Sequence, residues 1–202
     1  MGKKEALEKL EKEIALDLSL PLRESTLVFG EGNPDAPVLF IGEAPGFHED
    51  KLGRPFVGRA GKLLDELILS VGWKREDVYI TNIVKRRPPE NRDPIPEEID
   101  AYRPYLGRQI EIIDPKIIVA LGRFAMNYFL PGAKITRDQG KVFAVNGVRV
   151  VPLFHPAAAL RSTEMLRLLK ENFIKLPDIV AHADILPADT AKKETKIQDS
   201  LF

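Results

Sequence analysis

The stretch FIGEAPGFHEDKLGRPFVG, residues 40–58, changes character at a single point. An apolar run that opens at Val38 stops at Gly42, and carboxylates, glycines and prolines follow, with one aromatic ring, Phe56, near the end. Short aliphatic runs bounded by turn residues predict strands buried on both faces. Val78 to Thr81, Ile117 to Leu121 and Val148 to Phe154 repeat the pattern. Helical periodicity fills the intervals. Leu63, Leu64, Leu67, Ile68 and Val71 share one face, as do Ile99, Tyr102, Leu106, Ile110 and Ile113 in a helix opened by Pro96 and expected to kink at Pro104. Ala125 to Leu130 and Met165 to Leu176 supply two further helices. The alternation predicts an α/β fold with a parallel sheet covered on both faces. Val142 to Val151, broken at Asn146-Gly147, predicts a hairpin leading into the last strand.

The 202 residues are enough for one domain with a sizeable core. Thirty basic residues balance thirty acidic ones, so any surface for nucleic acid must be a local patch. No apolar run reaches membrane-spanning length, and the charged, helix-periodic start is unlike a signal peptide, which predicts a cytoplasmic protein with no membrane contact. The absence of cysteine excludes disulfides and thiolate metal sites. Residues 1–16 read as a peripheral helix with Leu7, Leu10 and Ile14 on one face, residues 17–185 as the main domain, and residues 186–202 as a flexible tail without apolar periodicity.

In an open parallel sheet, ligands bind outside the carboxyl ends of the strands. The four runs end in Gly42 and Glu43, Asn82, Gly122, and His155 followed by Pro156. An acid, an amide and an imidazole would thus converge on one crevice. Taken singly, each has a plainer reading: a solvated turn carboxylate, a turn amide, a structural histidine.

The segments VFGEGNPDAPVLFIG, GEAPGFHEDKLGRPFVGRAGKLL, TNIVKRRPPENR and FHPAAALR resemble the family 4 uracil-DNA glycosylases, over about Leu18 to Leu176. The resemblance implies a three-layer α/β/α sandwich around a central four-stranded parallel sheet. It also implies an enzyme of base excision repair that flips uracil out of DNA and hydrolyses its N-glycosidic bond; monomer is the default expectation for its oligomeric state. Hydrolysis places positive charge on the sugar and negative charge on the departing base. By the resemblance, Glu43 orients the attacking water and stabilises the sugar cation, while His155 donates to uracil O2 with help from a backbone N–H near Gly42. Asn82 donates to O4 and accepts from N3–H, a pattern that cytosine reverses. Phe56 stacks on the flipped base. Glu49 falls at another site position, and the Phe47 to Glu49 segment is expected to limit room for the thymine methyl. Arg161, with Lys85, Arg87 and Arg92, is expected to contact phosphates, although each also suits an ordinary surface cation.

The resemblance implies a 4Fe–4S cluster as well, held by four cysteines. The corresponding positions here are Asp17, Leu20, Arg86 and Tyr102, which cannot bind iron as thiolates do, so no cofactor is expected. Either the site was lost together with activity, or ordinary contacts replaced its scaffolding role. The second reading is preferred, through an Asp17 to Arg86 ion pair and a Leu20 to Tyr102 apolar contact. The loop KRRPPENR lacks the histidine of covalent-trapping relatives, so turnover is expected. The final residues, QDSLF, resemble a bacterial sliding-clamp-binding motif in which Gln198, Leu201 and Phe202 would fill the clamp pocket. Two other functions remain open at this level: a catalytically silent module that recognises uracil, and a hydrolase of small nucleotides.

Overall fold

The computed structural model describes residues 2–185. In chain order it contains α1 (Lys3–Leu16), β1 (Glu31–Gly32), β2 (Val38–Gly42), α2 (Phe47–Leu52), α3 (Arg59–Ser70), β3 (Tyr79–Asn82), α4 (Pro96–Ile113), β4 (Ile117–Leu121), α5 (Gly122–Phe129), α6 (Ile135–Asp138), β5 (Phe143–Val145), β6 (Val148–Leu153), α7 (Pro156–Ala159), α8 (Thr163–Phe173) and α9 (Leu176–Ala181). Strands with aliphatic side chains on both faces must lie between two apolar layers. Accordingly, β2, β3 and β4 are buried at every residue.

The sheet order is β1-β3-β2-β4-β6-β5. The four expected strands pair in parallel at its centre, and the sheet is larger than the four strands expected because a short antiparallel strand closes each edge. At one edge Glu31 and Gly32 lie opposite Ile80 and Tyr79. At the other, β5 and β6 form the expected hairpin, whose turn residues Asn146 and Gly147 both have positive φ, as a two-residue type I′ turn demands. Side chains alternate along β2. Leu39 and Ile41 enter a core layer shared with α1, α4 and α5, while Val38 and Phe40 enter the opposite layer with α3, α8 and α9. Phe40 stacks on Phe173 of α8, with ring centroids 5.6 Å apart and an interplanar angle of 5°.

Three helices carry detail beyond the sequence patterns. α1 is not merely peripheral, because Leu7, Leu10 and Ile14 are buried in the first core layer. α4 accommodates Pro104 within one continuous helix, whose buried residues Tyr102, Leu106, Ile110 and Ile113 anchor both sides of the proline. The last expected helix is two, since Ile174 and Lys175 separate α8 from α9. No helix among the described residues is long and apolar enough to cross a membrane. Gln198, Leu201 and Phe202 lie outside the described residues.

From β2 the chain crosses to β3 on one side, and β4 then pairs with β2 on the other. In an open α/β sheet such a reversal is where ligands bind, outside the carboxyl ends of the strands. The sandwich depends on its aromatic layer contact: Phe40→Ala should destabilise the protein by about 3–5 kcal/mol, read as a fall in urea midpoint at unchanged m-value.

Candidate active site

Gly42 and Asn82 are register partners at the ends of β2 and β3, so their side-chain positions face the same opening. A Cβ on Gly42 would stand 2.5 Å from Asn82 Oδ1 and 2.5 Å from the Phe56 ring. Only a glycine permits this approach. The Phe56 ring in turn stacks on the His155 imidazole, with centroids 5.5 Å apart at 26°. The amide, the aromatic ring, the imidazole and the bare end of β2 therefore converge, and Glu43 is the next residue in the chain. Asn82 is 2% exposed, and among the described residues nothing bonds its carboxamide. Its hydrogen-bonding capacity is available to a ligand.

The Phe56 loop is fixed from three directions. Glu49 Oε1 accepts from the Val57 and Gly58 N–H groups, both at 2.9 Å, and its Oε2 accepts from Gly46 N–H at 3.2 Å. Glu49 thus acts as a clamp on the loop, engaged with backbone amides. Arg75 donates to the Phe56 carbonyl at 3.3 Å and to that of Pro55, while its guanidinium is oriented by Glu31 and by Asp65 at 2.6 Å. Gly61 of α3 is the third element, since a Cβ there would lie 1.9 Å from the Phe56 oxygen. These contacts hold Phe56 at a φ of 51°, a left-handed conformation unfavourable to a bulky residue.

Burial moves the two ionisable groups in opposite directions. It pushes the Glu43 carboxyl up to about 7, with Asp93 adding to the rise and Arg123 opposing it. It pulls the His155 imidazole down to about 4, against the opposing influence of Glu49. His155 is therefore neutral at physiological pH. Its Nδ1 accepts from Ala157 N–H at 3.1 Å at the start of α7, which leaves its proton on Nε2. At neutral pH the arrangement offers a carboxylate able to take a proton and an uncharged N–H donor.

The family model described as the Uracil DNA glycosylase superfamily matches residues 29–176, a span that contains every one of these groups. The chain belongs to the uracil DNA glycosylase superfamily. Among its relatives, the Type-4 uracil-DNA glycosylase of Thermotoga maritima is 49% identical over 166 residues, covering 80% of this chain and 86% of that protein. The protein of the same name from Sulfurisphaera tokodaii is 44% identical over 187 residues, covering 87% and 85%. That from Archaeoglobus fulgidus is 46% identical over 165 residues, covering 77% and 83%.

Set within this superfamily, the expected phosphate-contacting cations divide. Arg161 is exposed at the turn after α7. Arg87 lies over the Phe47 ring at 5.2 Å and donates to Asn91, and Arg92 forms a forked pair with Glu98 at 2.6 and 2.9 Å. Lys85 corrects the sequence reading. It is fully buried, with its ammonium directed into the protein, and it cannot touch a phosphate.

The positions corresponding to the cluster cysteines of family 4 do not fit such a group, for they offer no thiolate and include an aliphatic side chain and a guanidinium. The expected Asp17 to Arg86 pair is not formed among the described residues. Asp17 instead accepts from Ser19 Oγ at 2.6 Å and from the Tyr105 hydroxyl, and Arg86 donates to the Ser25 carbonyl. Leu20 and Tyr102 do share a core layer, and the Tyr102 hydroxyl donates to the Pro21 carbonyl at 2.8 Å. Segment 17–25 is thereby tied down at three points.

Asp93, Arg123, Arg75 and Gly61 went unnoticed in the sequence. Arg123 directly follows Gly122 at a strand end and Asp93 follows the basic loop, so position alone marks both. Arg75 and Gly61 carry no such signal. Gly61→Ala should displace the Phe56 loop and leave the rest of the fold intact: near-native far-ultraviolet dichroism, with proteolytic nicking appearing within residues 46–58, is the expected pattern.

Proposed function

We propose that this chain excises uracil from DNA, hydrolysing the bond between N1 of the base and C1′ of deoxyribose and leaving an abasic site in base excision repair, as a cytoplasmic monomer. The observation that carries the reading is the meeting of the unpartnered Asn82 carboxamide, the Phe56 ring and the neutral His155 at the end of β2, where the next residue, Glu43, has a carboxyl that burial raises to about 7. The names of the relatives support it.

A uracil flipped out of the helix would enter against Phe56, with Asn82 donating to O4 and accepting from N3–H. As the N1–C1′ bond breaks, its electron pair leaves with the base, and the His155 Nε2–H donates to O2 where the negative charge gathers. Ionised Glu43 stabilises the cationic sugar and takes a proton from the water that attacks C1′. The base departs as an anion and acquires its proton from solvent. Arg161, Arg87 and Arg92 would hold the flanking phosphates, and no step calls on a metal cluster.

Because Glu43 must be ionised, the rate on a uracil-containing oligonucleotide should rise about tenfold per unit as pH increases towards about 7 and then level off. Glu43→Gln and Asn82→Ala should each lose roughly a hundredfold in kcat/KM, and the pH dependence should vanish in the glutamine variant. A wild-type rate that is flat from about pH 5 to pH 8 would remove Glu43 from this role, and intact oligonucleotide after alkali would leave only a uracil-reading module.

The QDSLF segment supports a protein partner, and Gln198, Leu201 and Phe202 are proposed to dock in the pocket of a sliding clamp, tethering the enzyme to DNA. Capture of the clamp should be lost when residues 198–202 are deleted; undiminished capture would rule the contact out.

A further inference from the structure

Lys85 is a fully buried lysine that the mechanism above does not use. Its Nζ lies 2.6 Å from Thr81 Oγ1, 2.8 Å from the Asn82 carbonyl oxygen and 2.6 Å from Gln109 Oε1. All three are uncharged oxygens, and none of these bonds leads to a carboxylate.

The proton count around this nitrogen bears on the state of the amine. Thr81 has one hydroxyl proton, and its Oγ1 stands 2.7 Å from the Phe29 carbonyl oxygen. Two oxygens at that separation require the proton between them, so Thr81 donates to Phe29 and has only lone pairs to offer Lys85. Gln109 directs its Nε2 at the same Phe29 carbonyl, at 3.2 Å, and to the Tyr79 hydroxyl, at 3.4 Å, which turns its Oε1 towards Lys85. The Asn82 carbonyl can only accept. Three acceptors around one nitrogen require three N–H donors, whereas a neutral amine has two. Burial pulls Lys85 well below the usual lysine range; hydrogen bonds from the ammonium to three acceptors favour its charged form.

We propose that Lys85 is retained as a buried ammonium, and that this charge, bonded to the backbone of the base-reading Asn82, is a positioning and electrostatic element that stabilises the electron pair carried away by uracil. His155, the side-chain donor proposed for the base, carries no charge of its own at neutral pH. A charge in an interior of low dielectric acts over several ångströms, and a preorganised one requires no rearrangement during the reaction. The ammonium also anchors the end of β3. Ile83 N–H, the next amide after Asn82, donates to the Gly42 carbonyl at 2.9 Å, so the reading residue is fixed on both sides. The protonation state stands on hydrogen-bond geometry alone, whereas the catalytic role rests on the uracil-excising function proposed above.

The test pairs a direct measurement with a kinetic one. In the full chain labelled with 15N-lysine, the Nζ resonance of Lys85, assigned by its loss in Lys85→Met, should show three attached protons from about pH 6 to pH 8. In single-turnover assays Lys85→Met should lower kcat for uracil about tenfold, with KM within about twofold, and should lower it clearly less for 5-fluorouracil, whose anion needs less stabilisation. Thr81→Val, which removes one acceptor and leaves the lysine in place, should reproduce the unequal loss and serves if Lys85→Met does not fold. Two attached protons on Nζ would overturn the ammonium. Equal losses on the two bases would reduce Lys85 to a structural role. Three attached protons in a wild-type chain that releases no uracil would uphold the ammonium and defeat both its catalytic role and the excision reading.

Discussion

The site rests on a missing atom. At the end of β2 the chain places Gly42 where any Cβ would collide with the Asn82 carboxamide and the Phe56 ring, each 2.5 Å from that point. Parallel pairing brings Asn82 alongside, since strands in register end side by side and present their last residues to the same opening. Phe56 arrives by a separate route, on a loop folded back by Glu49, Arg75 and the close approach of Gly61. A pocket for a planar base needs a polar edge and an apolar face within a few ångströms of each other. Here a sheet supplies the first and a clamped loop the second, and the glycine allows them to meet.

The same burial that shapes the pocket sets its charges. Glu43 and His155 experience one physical effect, loss of water, and respond in opposite senses because one is charged when deprotonated and the other when protonated. The consequences for stability are opposite too. His155 adds stability above its unfolded value near 6.5, which is lost as pH falls towards 4. Glu43 favours its protonated form in the fold, so stability is lost as pH rises from 4.5 to about 7. The fold thus bears a strain at neutral pH to keep a reactive carboxylate, as functional sites commonly do.

Where family 4 relatives are expected to bind a metal cluster, this chain has ordinary contacts. Tyr102 reaches the Pro21 carbonyl, Arg86 that of Ser25, and Tyr105 the Asp17 carboxylate. These bonds tie segment 17–25 to α4 and to the loop after β3, which is the connection a cross-linking group at the same positions would make. The residues differ from the pairing that side-chain chemistry alone suggests. Asp17 is half-exposed at the end of α1 and finds Ser19 and Tyr105 nearby, whereas Arg86 is buried and turns to a carbonyl.

Much of this protein was legible in the order of its residues. Strand runs, helix faces and the Asn146-Gly147 turn are local patterns, and a buried parallel sheet follows from them, so the order of residues alone puts Gly42, Glu43, Asn82 and His155 at one end of the sheet. The short edge strand at Glu31 carried no periodicity and was invisible. Only the tertiary structure decided which way the longer side chains turn. Lys85 reads as a phosphate-binding cation in a basic loop, yet it lies inside because Gln109, twenty-four positions away, brings an oxygen to meet it. The tautomer of His155, the charge of Glu43 and the partners of Arg75 have the same origin. Each depends on how much water is excluded and on which distant segment supplies the opposing group, and neither quantity is a property of neighbouring residues in the chain.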